Sequence, residues 1–201
     1  YVGKVFFESP KKIEKFKVQP FKPLMPALAE RLSTPEEIIE KIGACAVEKK
    51  LDGFRLQCHK KGEEVELYSR KLEKMTAMFP DIVNAIKKLK AKEIIFEGEA
   101  LAYNESEHRY YSFQQTMQRR RKHGIAQAEK DFPLDLFVFD LLYVDGKDLT
   151  GESYERRREE LEKIFPLGVS MKYSSHREIV IEDHGILKLS ERKLVKKSKE
   201  L

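Results

Sequence analysis

The amino-acid sequence predicts an α+β fold with antiparallel sheets flanked by helices. Strand-like segments at 93–103 and 134–144 lie among helical segments, without the repeated strand–helix–strand rhythm that is typical of a parallel sheet. Residues 54–58 and 65–69 alternate apolar and polar side chains around a turn at Lys61-Gly62-Glu63, which indicates an antiparallel hairpin. These two observations favour a fold in which strands pair mainly with their neighbours in sequence.

Helices are predicted from their start signals and apolar stripes. Residues 34–37 (Thr-Pro-Glu-Glu) supply a capping threonine, a proline for the first helical position and a glutamate that completes a capping box. An apolar stripe follows Pro80, Ser112 can cap another helix, and residues 153–165 form a highly charged one. Short strands are expected at 169–173 and 179–182, and the basic residues 188–201 are expected to form a solvated helix or tail.

The predicted domain boundary lies at residue 33. Four prolines, Pro10, Pro20, Pro23 and Pro26, prevent a continuous helix, so residues 1–33 are interpreted as an extended N-terminal segment or linker. Residues 34–201 are then interpreted as one folded domain.

Composition excludes several classes of protein. Of the 201 residues 41% are hydrophobic and 36% are charged, and neither an apolar run that could span a bilayer nor a signal-peptide core is present. Cys45 and Cys58 make neither a disulfide framework nor a zinc site, and both are expected to be buried free thiols. A reducing, intracellular (cytoplasmic) compartment and no membrane partner are therefore predicted. The net charge of +5 is compatible with a polyanionic partner without proving one.

One polar string stands directly before a predicted strand. Residues 48–55 (Glu-Lys-Lys-Leu-Asp-Gly-Phe-Arg) place Lys50 between an apolar run and a turn. Partial burial beside other cations would favour the neutral amine, which is a nucleophile. The alternative from the residues alone is a surface lysine in a β-turn, with Asp52 and Gly53 as the turn residues.

This string resembles the lysine motif of the covalent nucleotidyltransferases, which include ATP-dependent DNA ligases, RNA ligases and mRNA capping enzymes. Residues 69–73 (Ser-Arg-Lys-Leu-Glu), 96–99 (Phe-Glu-Gly-Glu) and 137–140 (Phe-Val-Phe-Asp) resemble further motifs of these enzymes and occur in the same order. Segments resembling those of archaeal-type DNA ligases in particular are found at 21–30 and 113–122. The resemblance spans about residues 19–182 and implies the nucleotidyltransferase (ATP-grasp-like ligase) fold.

The resemblance implies roles for the first motifs. Lys50 would attack the α-phosphate of ATP, expel pyrophosphate and retain AMP as a phosphoramidate. Glu48 would accept a hydrogen bond from the adenine amino group. Arg55 and Arg70 would hold the ribose and phosphates, because a guanidinium stays charged and donates several hydrogen bonds. Without the resemblance, Glu48 is an exposed strand carboxylate and the arginines form sheet-surface ion pairs.

The later motifs would complete the nucleotide site. Glu99 would contact the ribose or a Mg²⁺ ion, although Glu97 shares its strand face and has the same oxygen ligands. The family pattern favours Glu99. Phe139 would stack on adenine, although Phe137 has the same parity. The alternatives are a polar strand face for the acids and ordinary core for the aromatic rings.

The densest basic cluster comprises Arg119, Arg120 and Arg121, followed by Lys122 and His123. Contact with nucleic-acid phosphates is one interpretation for the three arginines, since it releases counterions. A solvated helix end stabilised by its cations is the equal alternative.

The last family motifs are incomplete. Residues 184–190 are either a degraded Glu-Gly motif, with His184 in place of the acid, or the later lysine strand, with a preceding stretch absent near Asp183-His184. The second interpretation is favoured because Ile-Leu-Lys-Leu alternates as a strand does. It makes Lys188 a phosphate-binding lysine.

The resemblance therefore implies the adenylation domain of an ATP-dependent DNA ligase, in a fragment without the helical DNA-binding and OB-fold domains. The implied cofactors are ATP, as AMP donor, and Mg²⁺. The implied partner is nicked double-stranded DNA, in replication, repair or recombination. A monomer is expected, with a sliding clamp contacted through regions outside this sequence. The alternatives are an RNA ligase or capping enzyme, and a catalytically inert nucleic-acid-binding module.

Overall fold

A computed structural model describes residues 17–165 and 185–200 of the chain. A seven-stranded sheet with the order β3-β2-β4-β6-β7 dominates this part, with β5 paired to β4 and β8 paired to β6, while β1 and β9 form a separate two-stranded sheet. The strands are β1 (Cys45–Glu48), β2 (Phe54–Lys61), β3 (Glu64–Ser69), β4 (Glu93–Asn104), β5 (Arg109–Tyr110), β6 (Leu134–Val144), β7 (Lys147–Asp148), β8 (Leu187–Leu189) and β9 (Arg192–Val195).

The helices begin where the sequence provides caps. They are α1 (Pro35–Ile42), α2 (Pro80–Lys87), α3 (Phe113–Thr116), α4 (Ile125–Asp131) and α5 (Tyr154–Ile164). Thr34 Oγ1 accepts from the Glu37 backbone N–H at 3.2 Å, but Glu37 accepts from Ser33 rather than from Thr34, so the predicted capping box is shifted by one residue. Ser112 and Gln115 form a complete box at α3. No helix in the described ranges is long and apolar enough to cross a membrane.

The large sheet has one apolar and one polar face. Leu56, Phe96 and Val138 lie on the apolar face and are fully buried, together with Ile82 of α2 and Leu161 of α5, which pack against them. Side chains of the opposite parity carry charge or hydrogen-bonding groups, because successive strand residues point to opposite faces. They include Arg55, Gln57, His59, Glu97 and Glu99.

The predicted strands of this sheet are confirmed, with two corrections. The hairpin of β2 and β3 and the long strands β4 and β6 form antiparallel pairs, but β8 pairs with β6 in parallel. The predicted helix or tail at 188–201 is wrong for residues up to 195, because Lys188 pairs with Phe137 and Val195 pairs with Cys45; a short 3₁₀ helix follows at Ser198–Glu200. Both pairings join residues far apart in sequence, which local patterns do not report.

Some predictions fall outside the described residues. These are the short strands at 169–173 and 179–182 and the junction at Asp183-His184. Cys58 is buried as predicted, and burial raises the pKa of its thiol, whereas Cys45 is only half-buried.

The described part of the N-terminal segment, residues 17–33, contains neither helix nor strand, and it lies against β2. The Phe21 N–H donates to His59 Nδ1 at 2.9 Å, and the Leu24 N–H donates to Gln57 Oε1 at 2.7 Å. Gln57 Nε2 donates back to the Leu24 carbonyl at 3.0 Å. Residues 21–24 therefore pack onto the polar face of the sheet. The division of the chain at residue 33 stays a prediction.

Candidate active site

The lysine motif lies at the mouth of a small open cleft of about 160 Å³. Four parts of the chain meet there: the end of β1 with the loop after it, β4, β6 and the residue after β8. The lining residues are Glu48, Lys49, Lys50, Leu51, Glu99, Phe139 and Ser190. The fold thus brings together Lys50, Glu99 and Phe139, which stand in three separate sequence motifs.

Lys50 is exposed at this mouth, so the predicted partial burial is wrong. The apolar residues before it belong to the small, half-buried strand β1 and do not enclose the loop that follows. Among the described residues, Lys50 forms no ion pair, whereas its neighbour Lys49 pairs with Glu191 at 3.3 Å. Lys50 is close enough to Glu99 for its charge to lower the pKa of that carboxyl.

Glu99 is held by the backbone of the lysine motif. The Gly53 N–H donates to Glu99 Oε1 at 3.1 Å. Burial raises the pKa of Glu99, while this hydrogen bond and the charges of Lys50 and Arg55 oppose the increase. A Cβ atom on Gly53 would lie 2.1 Å from the Ala100 carbonyl oxygen, so only glycine allows the backbone to approach β4 this closely.

Glu97, the other acidic candidate, is already engaged. Its side chain is 5% exposed and forms an ion pair with Arg55, and Gln57 Nε2 donates to its Oε1 at 3.1 Å. The Arg55 guanidinium also lies 5.2 Å from the centroid of the Phe139 ring. Glu97 therefore orients Arg55, and Glu99 is the member of the acidic pair that lines the cleft.

The two candidate aromatic rings differ in environment. Phe137 is buried and its ring centroid lies 5.4 Å from that of Tyr110. Phe139 is half-buried and lines the cleft. Glu97 pairs with Asp140 and Gly98 pairs with Val138, so an irregularity in the β4–β6 ladder leaves Phe139 without a direct partner on β4. Such bulges often redirect a side chain at an active site.

Glu48 is anchored to α5, a contact that the sequence did not reveal. The Tyr154 hydroxyl donates to Glu48 Oε1 at 2.7 Å, and Arg158 Nη1 lies 3.7 Å from the same oxygen. The sequence predicted the helix at residues 153–165, and in the structure Ser153 caps its start. No local pattern indicated which side chains of that helix would reach β1.

The remaining nucleotide-site candidates lie at the edges of this arrangement. Arg70 is exposed directly after β3 and is outside the lining of the cleft. Lys188 lies on a strand, as predicted, but only 6% of its side chain is exposed. Its ammonium group binds Asp135 and lies 3.3 Å from the Tyr110 hydroxyl. Contact with a phosphate would require the Lys188 ammonium to leave Asp135, and its role stays a prediction.

The basic cluster divides into two kinds of residue. The structure does not support a phosphate contact for Arg119, because its guanidinium is completely buried and binds Asp81 and the Met78 carbonyl, each at 2.8 Å. Arg120 and Arg121 are exposed and stay candidates for contact with nucleic acid. Arg120 also lies 3.1 Å from Glu73. Within this run of like charges, the sequence did not show that Arg119 has an internal partner.

Comparisons with known proteins give a consistent result. The family described as "ATP dependent DNA ligase domain" matches residues 26–200. The chain is 48% identical over 170 residues to a probable DNA ligase of Dictyoglomus turgidum, covering 84% of this chain and 29% of that protein. It is 43% identical over 159 residues to a DNA ligase of Sulfolobus acidocaldarius, covering 78% of this chain and 27% of that protein. The chain thus spans less than a third of the length of these relatives.

A solved structure agrees with these matches. The ligase domain of M. tuberculosis LigD aligns with 74% of this chain and 40% of its own, at 27% identity and a TM-score of 0.52. The predicted α+β nucleotidyltransferase fold is therefore confirmed. Because the family match covers most of the sequence, including all four motifs, this chain belongs to the ATP-dependent DNA ligase domain family.

Proposed function

We propose that this chain is the adenylation domain of a longer ATP-dependent DNA ligase and that Lys50 is the residue that carries AMP. The observation that carries the proposal is the convergence of Lys50, Glu99 and Phe139 on one cleft in a member of this family. The three residues supply a nucleophile, a carboxylate and an aromatic face, which are the groups that adenylation by ATP needs.

In the proposed reaction, neutral Lys50 Nζ attacks the α-phosphorus of ATP. A bond forms between Nζ and phosphorus, the bond to the bridging oxygen breaks, and pyrophosphate leaves with that oxygen. As the bond forms, the nitrogen loses one proton to solvent and keeps the other, since Lys50 is exposed. The attack must be in line with the departing oxygen, so positioning of the nucleotide is the main task of the surrounding residues.

The cleft residues divide this task. Phe139 stacks on the adenine ring, and Glu48 accepts from the adenine amino group. Glu97 holds the Arg55 guanidinium against the Phe139 ring, and Arg55 binds the ribose and phosphate side. Arg70, which is exposed directly after β3, would join it there. Lys188 binds phosphate once its ammonium exchanges Asp135 for the nucleotide.

Glu99 is the residue that would hold Mg²⁺. The described residues contain no group of three or more His, Cys, Asp or Glu side chains arranged for a metal. Mg²⁺ commonly binds through one or two carboxylates and the phosphates of the substrate, so a single carboxylate beside the nucleotide fits this ion. When bound, Mg²⁺ neutralises charge on the phosphates.

The later steps belong to the full-length enzyme. AMP passes from Lys50 to the 5′-phosphate of a nick in double-stranded DNA, and the 3′-hydroxyl then displaces it. Arg120 and Arg121 present exposed charge that suits the DNA backbone. The full-length enzyme would be an intracellular monomer associated with DNA. It would act in replication, repair or recombination and contact a sliding clamp through other regions.

Covalent labelling tests the first step. Full-length protein containing this chain is incubated with α-labelled ATP and Mg²⁺, and the intact mass and labelled peptide are determined. The wild type and Lys49→Ala should gain one AMP on the peptide with Lys50, and Lys50→Ala should gain none. Lys49 is a matched control because it is the adjacent exposed lysine. Equal labelling of Lys50→Ala and the wild type would refute the assignment.

A further inference from the structure

A second layer of side chains lies behind Glu48, away from the reacting lysine. Tyr154 is the first residue of α5, and its hydroxyl donates to Glu48 Oε1 at 2.7 Å. Arg158, one turn further along the helix, approaches the same oxygen to 3.7 Å. The Tyr154 hydroxyl, as a donor, and the Arg158 guanidinium, as a cation, therefore act on one oxygen of the carboxylate. Among the described residues, no hydrogen bond is made by the other oxygen, Oε2.

These two side chains are themselves fixed in place. The Arg158 side chain is 2% exposed, pairs with Glu162 at 2.9 Å and donates to Ser190 Oγ at 3.1 Å. Glu162 also pairs with Arg192 at 3.3 Å, and the Arg192 guanidinium lies 5.8 Å from the centroid of the Tyr154 ring. This arrangement leaves the Tyr154 hydroxyl little freedom. It connects the start of α5 to Ser190, which lines the cleft.

In the hydrogen bond between Tyr154 and Glu48, the tyrosine is the donor and the glutamate is the acceptor. Burial and the hydrogen bond to Glu48 raise the pKa of Tyr154 to about 12, so its hydroxyl stays protonated and donates. Tyr154 donates to Oε1 and the Arg158 cation lies beside the same oxygen, so Glu48 acts as the acceptor in this contact. An ionised carboxylate only accepts hydrogen bonds. Glu48 can therefore receive an N–H group in the cleft but cannot donate to a carbonyl.

We propose that Tyr154 is a positioning residue that fixes Glu48 so that its free oxygen selects a nucleobase edge with an exocyclic amino group. This inference deepens the proposed function and rests on it. The adenine amino group donates to the fixed oxygen. A carbonyl at the same place on the base would bring two acceptors together and leave both without a proton.

Equilibrium binding separates this role from a structural one. Full-length protein with Lys50→Ala is used, so that no covalent step affects the measurement, with Tyr154→Phe added in one arm. Calorimetry then compares ATP with purine ribonucleoside triphosphate, which lacks only the 6-amino group. Loss of one hydrogen bond to a charged group predicts about 10- to 100-fold weaker ATP binding. Binding of the analogue should not change.

Tyr143→Phe is the matched control. The Tyr143 hydroxyl also donates to a glutamate, Glu93, at 2.8 Å, but this pair is outside the lining of the cleft. This variant should bind both nucleotides normally. Unchanged ATP affinity in Tyr154→Phe, or an equal loss for both nucleotides, would overturn the inference. Labelling of Lys50 tests the proposed function separately, since selective loss for ATP would support the role of Tyr154 even if no AMP adduct formed.

Discussion

The cleft at Lys50 and the buried pair of Arg119 and Asp81 place a cationic side chain in opposite environments, one exposed and one buried. Lys50 is exposed and, in the described part of the chain, has no ion-pair partner, whereas Arg119 is fully buried with a carboxylate, a carbonyl and the Phe79 ring around it. A group that must react needs access to its substrate. A buried group whose charge is paired with a carboxylate serves the stability of the fold. Sequence context suggested partial burial for Lys50 and an exposed position for Arg119.

Replacement of the exposed lysine at the cleft should have the strongest effect on activity. Lys50→Arg keeps the positive charge but supplies a guanidinium that stays protonated and cannot attack phosphorus. We expect complete loss of the AMP adduct by intact mass and a change of less than about 0.5 kcal/mol in the free energy of unfolding, because the site is exposed. A large loss of stability would mean that Lys50 has a structural partner.

On the side of the buried pair, Asp81→Ala should destabilise the fold by about 3–5 kcal/mol, because it leaves the Arg119 charge buried without its partner. Chemical denaturation of the full-length protein measures the loss. Glu73→Ala is the control, since it removes the partner of the exposed Arg120 and should cost less than about 1 kcal/mol. Similar costs for the two variants would contradict the distinction between buried and exposed pairs.

His59 is a third kind of ionisable side chain, one that is buried and stays neutral. Burial lowers the pKa of His59 to about 4, and the Phe21 N–H donates to its Nδ1. Below pH 6.5 an unfolded histidine binds more protons than this one, so the stability that His59 provides is present above pH 6.5 and is lost as the pH falls through about 4.

The loss should approach about 3 kcal/mol, from 1.36 kcal/mol per pKa unit. His59→Gln should remove this part of the pH dependence, as measured by denaturation at pH values from neutral to acid. A variant with the same acid sensitivity as the wild type would exclude His59 as the cause.

The smallest expected effect concerns the backbone beside the cleft. Gly53→Ala forces a Cβ atom against the Ala100 carbonyl and should destabilise the protein by about 1–3 kcal/mol, with slower labelling of Lys50 because Glu99 loses its donor. Gly151→Ala is the control, because nothing lies within 4 Å of an added Cβ atom there. Equal stabilities for these two variants would refute the role of the close approach.

Local chemistry predicted much of this molecule. The caps at Thr34 and Ser112 placed two helices, alternating apolar residues placed β2 and β3, and the apolar segments at 93–103 and 134–144 placed β4 and β6. These signals depend on neighbours a few residues away. The motif order also identified Lys50, Glu99 and Phe139, and the fold places them at one cleft.

The contacts that the sequence did not predict join distant parts of the chain. Asp81 as partner of Arg119, Tyr154 as partner of Glu48, and the parallel pairing of β8 with β6 all depend on tertiary packing. A long cationic side chain can reach either solvent or an internal carboxylate, and nearby residues do not decide between them. The burial of Lys50 and Arg119 was therefore the part of the site that sequence patterns predicted least well.

The pairing of β1 with β9 has a consequence for the order of folding. Glu48 pairs with Arg192, so the strand that leads into the lysine motif is completed by residues near the other end of the described chain. Loop closure over such a separation is entropically costly until the intervening sheet has formed. We expect the hairpin of β2 and β3 to form early and the nucleophile's strand to dock late, so a nascent chain would acquire its nucleotide site only after β9 has left the ribosome.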